Sequence, residues 1–142
     1  MYQAGTLSGN PVATAAGLAT LRACDDEVYR TADAASARLS AAVSEALAAA
    51  GVAHAIQRAG SLFSIAFGEF AGGGPHNYDE VRAQEAFRYP PFFHALLAQG
   101  VSAPPSVFEA WFLSAAHDDV ALARTIDALP AASRAAAAAV PN

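Results

Sequence analysis

The segment VAHAIQRAGSLFSIAF, residues 52–67, decides the fold that we expect for this chain of 142 residues. It contains two short runs of β-prone residues, separated by Ala59-Gly60. That spacing predicts an antiparallel hairpin. In the second run, apolar side chains alternate with small or polar ones, so one face of the hairpin should be buried. The residues expected on that face are Phe63, Ile65 and Phe67.

Helical patterns flank the hairpin on both sides. Asn10-Pro11 predicts a helix start, because asparagine caps helix N-termini and proline is tolerated in the first turn. That helix is expected to run to about Cys24, and a second, amphipathic helix from about Asp25 to Ala50. The other expected elements are a helix at 92–99 after the interruption Pro90-Pro91, a buried strand at 110–115 and a helix at 120–129. This mixture without an internal repeat predicts one α+β domain.

The composition excludes several kinds of chemistry. All eight basic residues are arginine, so no lysine can act as a Schiff-base, phosphate-loop or general-base residue. The net charge of −5 argues against a nucleic-acid partner, which would require a basic patch. The single cysteine, Cys24, excludes an intramolecular disulfide. Since no signal-peptide pattern or run of 18 apolar residues occurs, we expect a soluble cytoplasmic protein without a membrane partner.

The loop GTLSGNP, residues 5–11, is the first candidate site. Its two glycines let backbone amides turn toward a ligand, two hydroxyls lie beside them, and the free N–H groups of a helix N-terminus follow. These groups together suit a phosphate. The alternative is that Asn10 caps the helix and the remainder is a tight loop, and the pattern alone favours that alternative.

The second candidate is Glu109, an acid between Phe108 and Trp111 in an apolar stretch. Its carboxylate lies either at a turn that faces water or in an apolar pocket, and the pattern leaves both open. The glycine run 72–74 precedes no phosphate-binding signature and is expected to be a flexible tip. The four histidines show no metal-ligand spacing, so no metal site is expected; they are His54, His76, His94 and His117.

Taken in order, several segments resemble glutamate-1-semialdehyde 2,1-aminomutases, a family of the class III pyridoxal-phosphate (PLP) aminotransferase group. The segments are YQAGTLSGNP at 2–11, GSLF at 60–63, FFHALL at 92–97, PSVFEA at 105–110 and SAAH at 114–117. The resemblance covers essentially the whole chain but only the last part of the family's sequence. Two departures stand out. Ser102-Ala103 replaces a frequent tyrosine and another apolar residue, and Trp111 replaces a common glycine.

The resemblance implies the C-terminal small domain of a fold-type I PLP enzyme. Such a domain has a short antiparallel sheet covered by helices and follows a helix from the junction with the large domain. Residues 1–27 would form the cofactor-phosphate loop and junction helix, and residues 28–142 the small domain. The lysine that binds PLP and the aspartate that pairs with its pyridine nitrogen belong, in the family, to segments that this chain lacks. The chain alone is therefore expected to be inactive.

The resemblance also implies roles for individual residues. Gly5 and Thr6 would contact the PLP phosphate, with Thr6 reaching the cofactor of the other subunit in a homodimer. Glu109 would lie near the cofactor and substrate amines, and Ser61 would line the substrate side. The implied reaction converts a small molecule, glutamate-1-semialdehyde, to 5-aminolevulinate for tetrapyrrole synthesis. Two alternatives stay open: a part of another class III aminotransferase, or a non-catalytic oligomerisation or binding domain that reuses the fold.

Overall fold

The computed structural model describes residues 5–141, so residues 1–4 of the predicted N-terminal loop, and Asn142, lie outside the described residues. This part contains five α-helices and three strands. In chain order they are α1 Pro11–Ala23, α2 Asp26–Ala49, β1 His54–Ala59, β2 Leu62–Phe67, α3 Tyr78–Arg82, α4 Tyr89–Ala98, β3 Trp111–Phe112 and α5 Asp119–Ala137.

The predicted hairpin is confirmed and forms the centre of the sheet. β1 and β2 pair antiparallel with Ile56 opposite Ile65, and β3 pairs antiparallel with the other edge of β2. The hairpin turns at Gly60, whose φ of 58° is a left-handed conformation that glycine adopts without a steric cost. The alternating residues of β2 are 3% exposed or less, namely Phe63, Ile65 and Phe67.

Helices α2, α4 and α5 cover that apolar face of the sheet. Their inward side chains join the strand residues in one hydrophobic core, and α5 packs against both α2 and α4. The amphipathic pattern predicted for α2 is confirmed, because Leu39, Val43 and Leu47 are all buried at their four-residue spacing. The predicted α+β fold class is therefore correct.

Three element boundaries differ from the sequence-based prediction. α4 begins at Tyr89, because Pro90-Pro91 occupies the first turn, where a missing N–H breaks no helical hydrogen bond. α5 continues through Pro130 to Ala137, and its last turns are held by buried side chains. The final strand is only Trp111–Phe112 long, since its ladder with β2 spans two residue pairs.

The glycine-rich segment after β2 packs on the sheet. Gly74 and Pro75 are buried, and Gln57 of β1 donates from Nε2 to the Pro75 carbonyl at 2.8 Å. A Cβ at Gly74 would lie 3.1 Å from the Gln57 side chain, so glycine permits this close approach. The prediction of a flexible tip is wrong at Gly74.

Helix α1 presents an uncovered apolar surface. All thirteen of its residues are exposed, and Arg22 is its single charged side chain. Leu18 and Leu21 are 49% and 71% exposed. Cys24 and Asp25 alone separate α1 from α2. Among residues 5–141, no helix combines the length and hydropathy needed to cross a membrane.

Two buried hydroxyls lower the stability of the helical layer. Ser36 of α2 and Ser133 of α5 are at most 1% exposed, and neither hydroxyl has a hydrogen-bond partner within residues 5–141. Burying such a group costs roughly 1–3 kcal/mol. We expect Ser36→Ala and Ser133→Ala each to raise the free energy of unfolding by about 1 kcal/mol in urea denaturation.

A matched control for these variants is Ser44→Ala, also on α2. The Ser44 hydroxyl lies 2.8 Å from Nε2 of His54, so its removal should lower the free energy of unfolding. If Ser36→Ala and Ser133→Ala destabilise the chain as Ser44→Ala does, both hydroxyls have partners and the expectation is wrong.

Candidate functional site

The loop before α1 places Gly5 and Thr6 in exposed positions. Two tight turns shape it: the Ser8 amide donates to the Gly5 carbonyl at 3.0 Å, and the Asn10 amide donates to the Leu7 carbonyl at 3.2 Å. A Cβ at Gly5 would lie 2.9 Å from Oγ of Ser8, so a larger residue at this position would require the exposed Ser8 side chain to rotate. The loop is thus a compact, solvent-accessible element directly before the N-terminus of α1.

The first turn of α1 is capped by the protein itself. Oδ1 of Asn10 accepts hydrogen bonds from the amides of Val12 and Ala13 at 2.9 and 3.2 Å. Pro11 has no N–H, and the Thr14 amide donates to the Asn10 carbonyl as the first helical bond. The expectation of free N–H groups at this helix end is therefore wrong, because the Asn10 side chain occupies them.

The loop before the cap holds several further donors. Within residues 5–141, the amides of Thr6, Leu7 and Gly9 and the hydroxyls of Thr6 and Ser8 make no hydrogen bond. A hydroxyl beside two successive backbone amides is a donor set that suits a phosphate oxygen. The donors of this loop are therefore chemically compatible with a phosphate group, whereas the first amides of α1 are already bonded to Asn10.

Ser61 lies in the hairpin turn and is half-buried. Its carbonyl accepts a hydrogen bond from the Leu113 amide at 3.0 Å. This bond ties the turn to the residue after β3, which fixes the backbone of Ser61 relative to that strand.

Glu109 lies in a turn two residues before β3, and its side chain is exposed. The Glu109 amide donates to the Ser106 carbonyl at 3.1 Å, and the Phe108 amide donates to Oγ of Ser106 at 3.2 Å. Of the two alternatives left by the sequence, the structure supports the turn that faces water.

The short ladder between β2 and β3 lies between Ser61 and Glu109. Leu62 pairs with Phe112 and Phe63 with Trp111. Because the pairing is antiparallel, Ser61 lies beyond one end of the ladder and Glu109 beyond the other. A groove of about 350 Å³ lies here; it is lined by Gln57, Arg58, Ala59, Leu62, Phe63, Ser64 and Ala110. No hydrogen bond in the described part of the chain joins the Thr6 loop to either segment.

Tyr89 is a residue that the sequence reasoning missed. It is 3% exposed, and its hydroxyl donates to the Pro104 carbonyl at 2.6 Å, in the segment that leads to Glu109. Its ring packs against Phe67 and Phe92, with ring centroids 6.2 and 6.1 Å apart. A tyrosine in a segment otherwise rich in phenylalanine was the available signal, because a buried phenol usually has a hydrogen-bond partner.

Alkaline pH should destabilise the chain through Tyr89. Burial raises the pKa of Tyr89 to about 12; the Trp111 side chain opposes the rise, and the charge of Glu109 adds to it. An unfolded tyrosine titrates near 10. The contribution of Tyr89 to the free energy of unfolding is therefore fully present below about pH 10. The free energy of unfolding should fall by about 1 kcal/mol per pH unit between pH 10 and 12, because the tyrosine loses its proton at lower pH in the unfolded chain than in the folded chain.

Urea denaturation from pH 8 to 12 checks this expectation, and the absence of lysine simplifies the titration. Tyr89→Phe should remove most of the pH dependence. The matched control Tyr29→Phe, at an exposed tyrosine, should retain it. A dependence that is the same in both variants would assign the effect to other groups.

The two departures from the family pattern line one cavity. Trp111 is 6% exposed and packs on Phe63 with ring centroids 5.3 Å apart. Beside it lies a cavity of about 100 Å³, which Ser102, Ala103 and Trp111 line together with Leu39, Val101, Pro104, Phe112, Leu113, His117 and Thr125. The large residue and the two small residues therefore border the same space.

The side chains of His54, His94 and His117 make hydrogen bonds or aromatic contacts within the fold, and the His76 backbone amide donates to the Glu80 carboxylate. Nδ1 of His117 accepts from the Ser114 amide at 3.1 Å just before α5. His94 is exposed and packs edge-on against Phe93. Within residues 5–141, no group of three or more His, Cys, Asp or Glu side chains is arranged to hold a metal ion.

The chain has the α+β fold of a C-terminal domain of PLP-dependent transaminases. An ω-transaminase from Sphaerobacter thermophilus matches it with a TM-score of 0.74 and 26% identity, over 96% of this chain and 30% of its own. A transaminase with PLP bound has a TM-score of 0.73 and 21% identity, over 97% and 30% of the two chains.

A third similar structure is the FumI protein of Sphingopyxis sp. MTA144 in its PLP internal aldimine form. It has a TM-score of 0.71 and 24% identity, over 94% of this chain and 29% of its own. The chain thus spans about 30% of the length of the solved structures that it matches. No family model matches the sequence.

Proposed function

We propose that this chain is the C-terminal part of a PLP-dependent enzyme of the class III aminotransferase group. The observation that carries the proposal is the Thr6 loop, whose exposed donors include the Thr6 hydroxyl and the amides of Thr6 and Leu7, all without partners in the described residues, in a fold shared with PLP transaminases. When bound, PLP supplies an electron sink for chemistry at a substrate amine. The protein supplies binding and orientation.

The Thr6 loop binds the phosphate of PLP in this proposal. The Thr6 hydroxyl and the amides of Thr6 and Leu7 donate to phosphate oxygens, and Gly5, whose carbonyl accepts from the Ser8 amide in the same turn, lies beside the phosphate. The cofactor belongs to the other subunit of a homodimer. The exposed apolar surface of α1 supports this arrangement, since a subunit interface would remove Leu18 and Leu21 from water.

In this proposal Ser61 lines the substrate side, and Glu109 lies near the cofactor and substrate amines. The Glu109 carboxylate, which is exposed in the described chain, holds or accepts a proton beside the substrate amine. The groove that Leu62, Phe63 and Ala110 line becomes an enclosed pocket when the rest of the enzyme covers it. The boundary between a cofactor-phosphate part, residues 1–27, and the small domain, residues 28–142, belongs to the same proposal.

The specific reaction that we propose is the conversion of glutamate-1-semialdehyde to 5-aminolevulinate for tetrapyrrole synthesis. It rests on the PSVFEA segment at 105–110. The second candidate is an intermolecular transamination, which is supported by the similarity to structures described as transaminases.

The experiment that separates the candidates uses the holoenzyme that contains this chain. An aminomutase should convert glutamate-1-semialdehyde to 5-aminolevulinate with no second substrate. A transaminase should form product only when an amino donor and a carbonyl acceptor are both present. A holoenzyme that binds no PLP would contradict the whole proposal.

The chain by itself provides the matched control. It contains no lysine, so PLP followed by borohydride should label no side chain and at most the terminal amine. Mass spectrometry of the peptides checks this. Stoichiometric labelling of a side chain, or turnover by the chain alone, would contradict the proposal that the residue that binds PLP covalently lies outside this chain.

A further inference from the structure

We infer that Tyr89 is a positioning residue, which holds the segment from Pro104 to Glu109, and with it the Glu109 carboxylate, through the hydrogen bond from its hydroxyl to the Pro104 carbonyl. The inference rests on the proposed role of Glu109. Tyr89 lies in α4, and Pro104 lies in the connection between α4 and β3. The hydrogen bond therefore joins a helix of the core to a loop.

The core holds the Tyr89 side chain in one position. Its ring is 3% exposed and packs against three aromatic rings, with centroids 6.1 to 6.5 Å away. These rings belong to Phe67 in β2 and to Phe92 and Phe93 in α4. Because the ring is enclosed by the core, the position of its hydroxyl is fixed by the fold rather than by the segment that it contacts.

The segment that carries Glu109 has few other restraints. Ala103, Val107 and Trp111 are buried at four-residue intervals, which anchors its apolar side. Within residues 5–141, the bond from Tyr89 is the only side-chain hydrogen bond that reaches residues 102–110 from another element. The remaining polar contacts are internal, as in the turn at Ser106.

The restraint at Pro104 is transmitted along the chain. The ring of Pro105 fixes its φ, so ψ of Pro105 is the one free backbone rotation between the held carbonyl and the Ser106 nitrogen. Ser106 in turn accepts the hydrogen bonds from the Phe108 and Glu109 amides. Removal of the Tyr89 hydroxyl leaves the half-buried Pro104 carbonyl without that partner, which favours a rearranged segment.

Amide hydrogen exchange in the full chain tests the restraint without any cofactor. In Tyr89→Phe, the amides of Phe108 and Glu109 should exchange about five- to tenfold faster than the change in global stability accounts for. Core amides such as that of Ile65 should follow the global change alone. Tyr29→Phe is the matched control and should leave the segment unchanged. Equal acceleration of core and segment amides would overturn the inference.

A double-mutant cycle in the holoenzyme tests the link to Glu109. Tyr89→Phe should lower kcat about five- to tenfold while PLP affinity stays constant, and it should have no further effect in a Glu109→Gln background. A loss of the same size in both backgrounds would overturn the inference, because Tyr89 would then act independently of Glu109. If Glu109→Gln alone keeps full kcat, the role proposed for Glu109 fails, and the exchange experiment decides whether Tyr89 holds the segment.

Discussion

Replacement of Trp111 by glycine should lower the free energy of unfolding by about 4 kcal/mol. The indole is 6% exposed and packs on Phe63. Truncating a buried tryptophan to alanine costs about 3–5 kcal/mol, and glycine in a strand adds up to about 1 kcal/mol. Chemical denaturation measures the loss. Glycine is common at this position in the family that the sequence resembles. A loss of stability in Trp111→Gly would therefore show that the core of this chain depends on the tryptophan.

The cavity beside Trp111 supplies the control for this prediction. Ser102 and Ala103 line the same cavity, so Ser102→Tyr should recover about 2 kcal/mol in the Trp111→Gly background. In the background that retains Trp111, the same substitution should destabilise the chain by about 1–3 kcal/mol, because the cavity of about 100 Å³ is too small for a phenol ring. Additive losses in the double variant would show that the two positions do not share volume.

Replacement of Thr6 by valine should weaken PLP binding to the holoenzyme by about 10- to 100-fold. Valine keeps the shape of threonine and removes the hydroxyl, and a hydrogen bond to a charged acceptor contributes about 1.5–3 kcal/mol. Thr6→Ser keeps the hydroxyl and should retain most of the affinity. Titration of the cofactor-free enzyme with PLP, followed by fluorescence, gives the dissociation constants.

Thr14→Val is the matched control for the Thr6 variant. Thr14 lies in α1, is also exposed, and its hydroxyl donates only to the Asn10 and Pro11 carbonyls, each at 3.1 Å. PLP affinity should therefore stay unchanged in Thr14→Val. A loss as large as in Thr6→Val would assign the effect to the stability of α1 and contradict a direct phosphate contact.

Elements defined by local periodicity could be predicted from the sequence. The hairpin follows from alternation in one strand and a glycine turn, and α2 follows from the spacing of Leu39, Val43 and Leu47. Both patterns depend on residues close together in the chain. Proline was harder to interpret, because its effect depends on position: Pro90-Pro91 starts α4, and Pro130 lies inside α5.

Contacts between distant residues could not be predicted in the same way. Nothing in the spacing of Tyr89 and Pro104, or of Phe63 and Trp111, states that their side chains meet, because packing of the whole core brings them together. At the N-terminus of α1, a side-chain cap and a phosphate would compete for the same backbone amides. The same Asn10 that marks the helix start also takes the amides that a phosphate would otherwise bind.

The two-residue joint between α1 and α2 makes α1 a lever arm. Cys24 and Asp25 are the residues between these helices, and the 13 residues of α1 extend over about 20 Å at 1.5 Å per residue. A rotation of about 30° at the joint would carry the Thr6 loop through about 10 Å, several times the length of a hydrogen bond. In the proposed phosphate contact, the angle between the two helices would therefore set the distance between Thr6 and the phosphate.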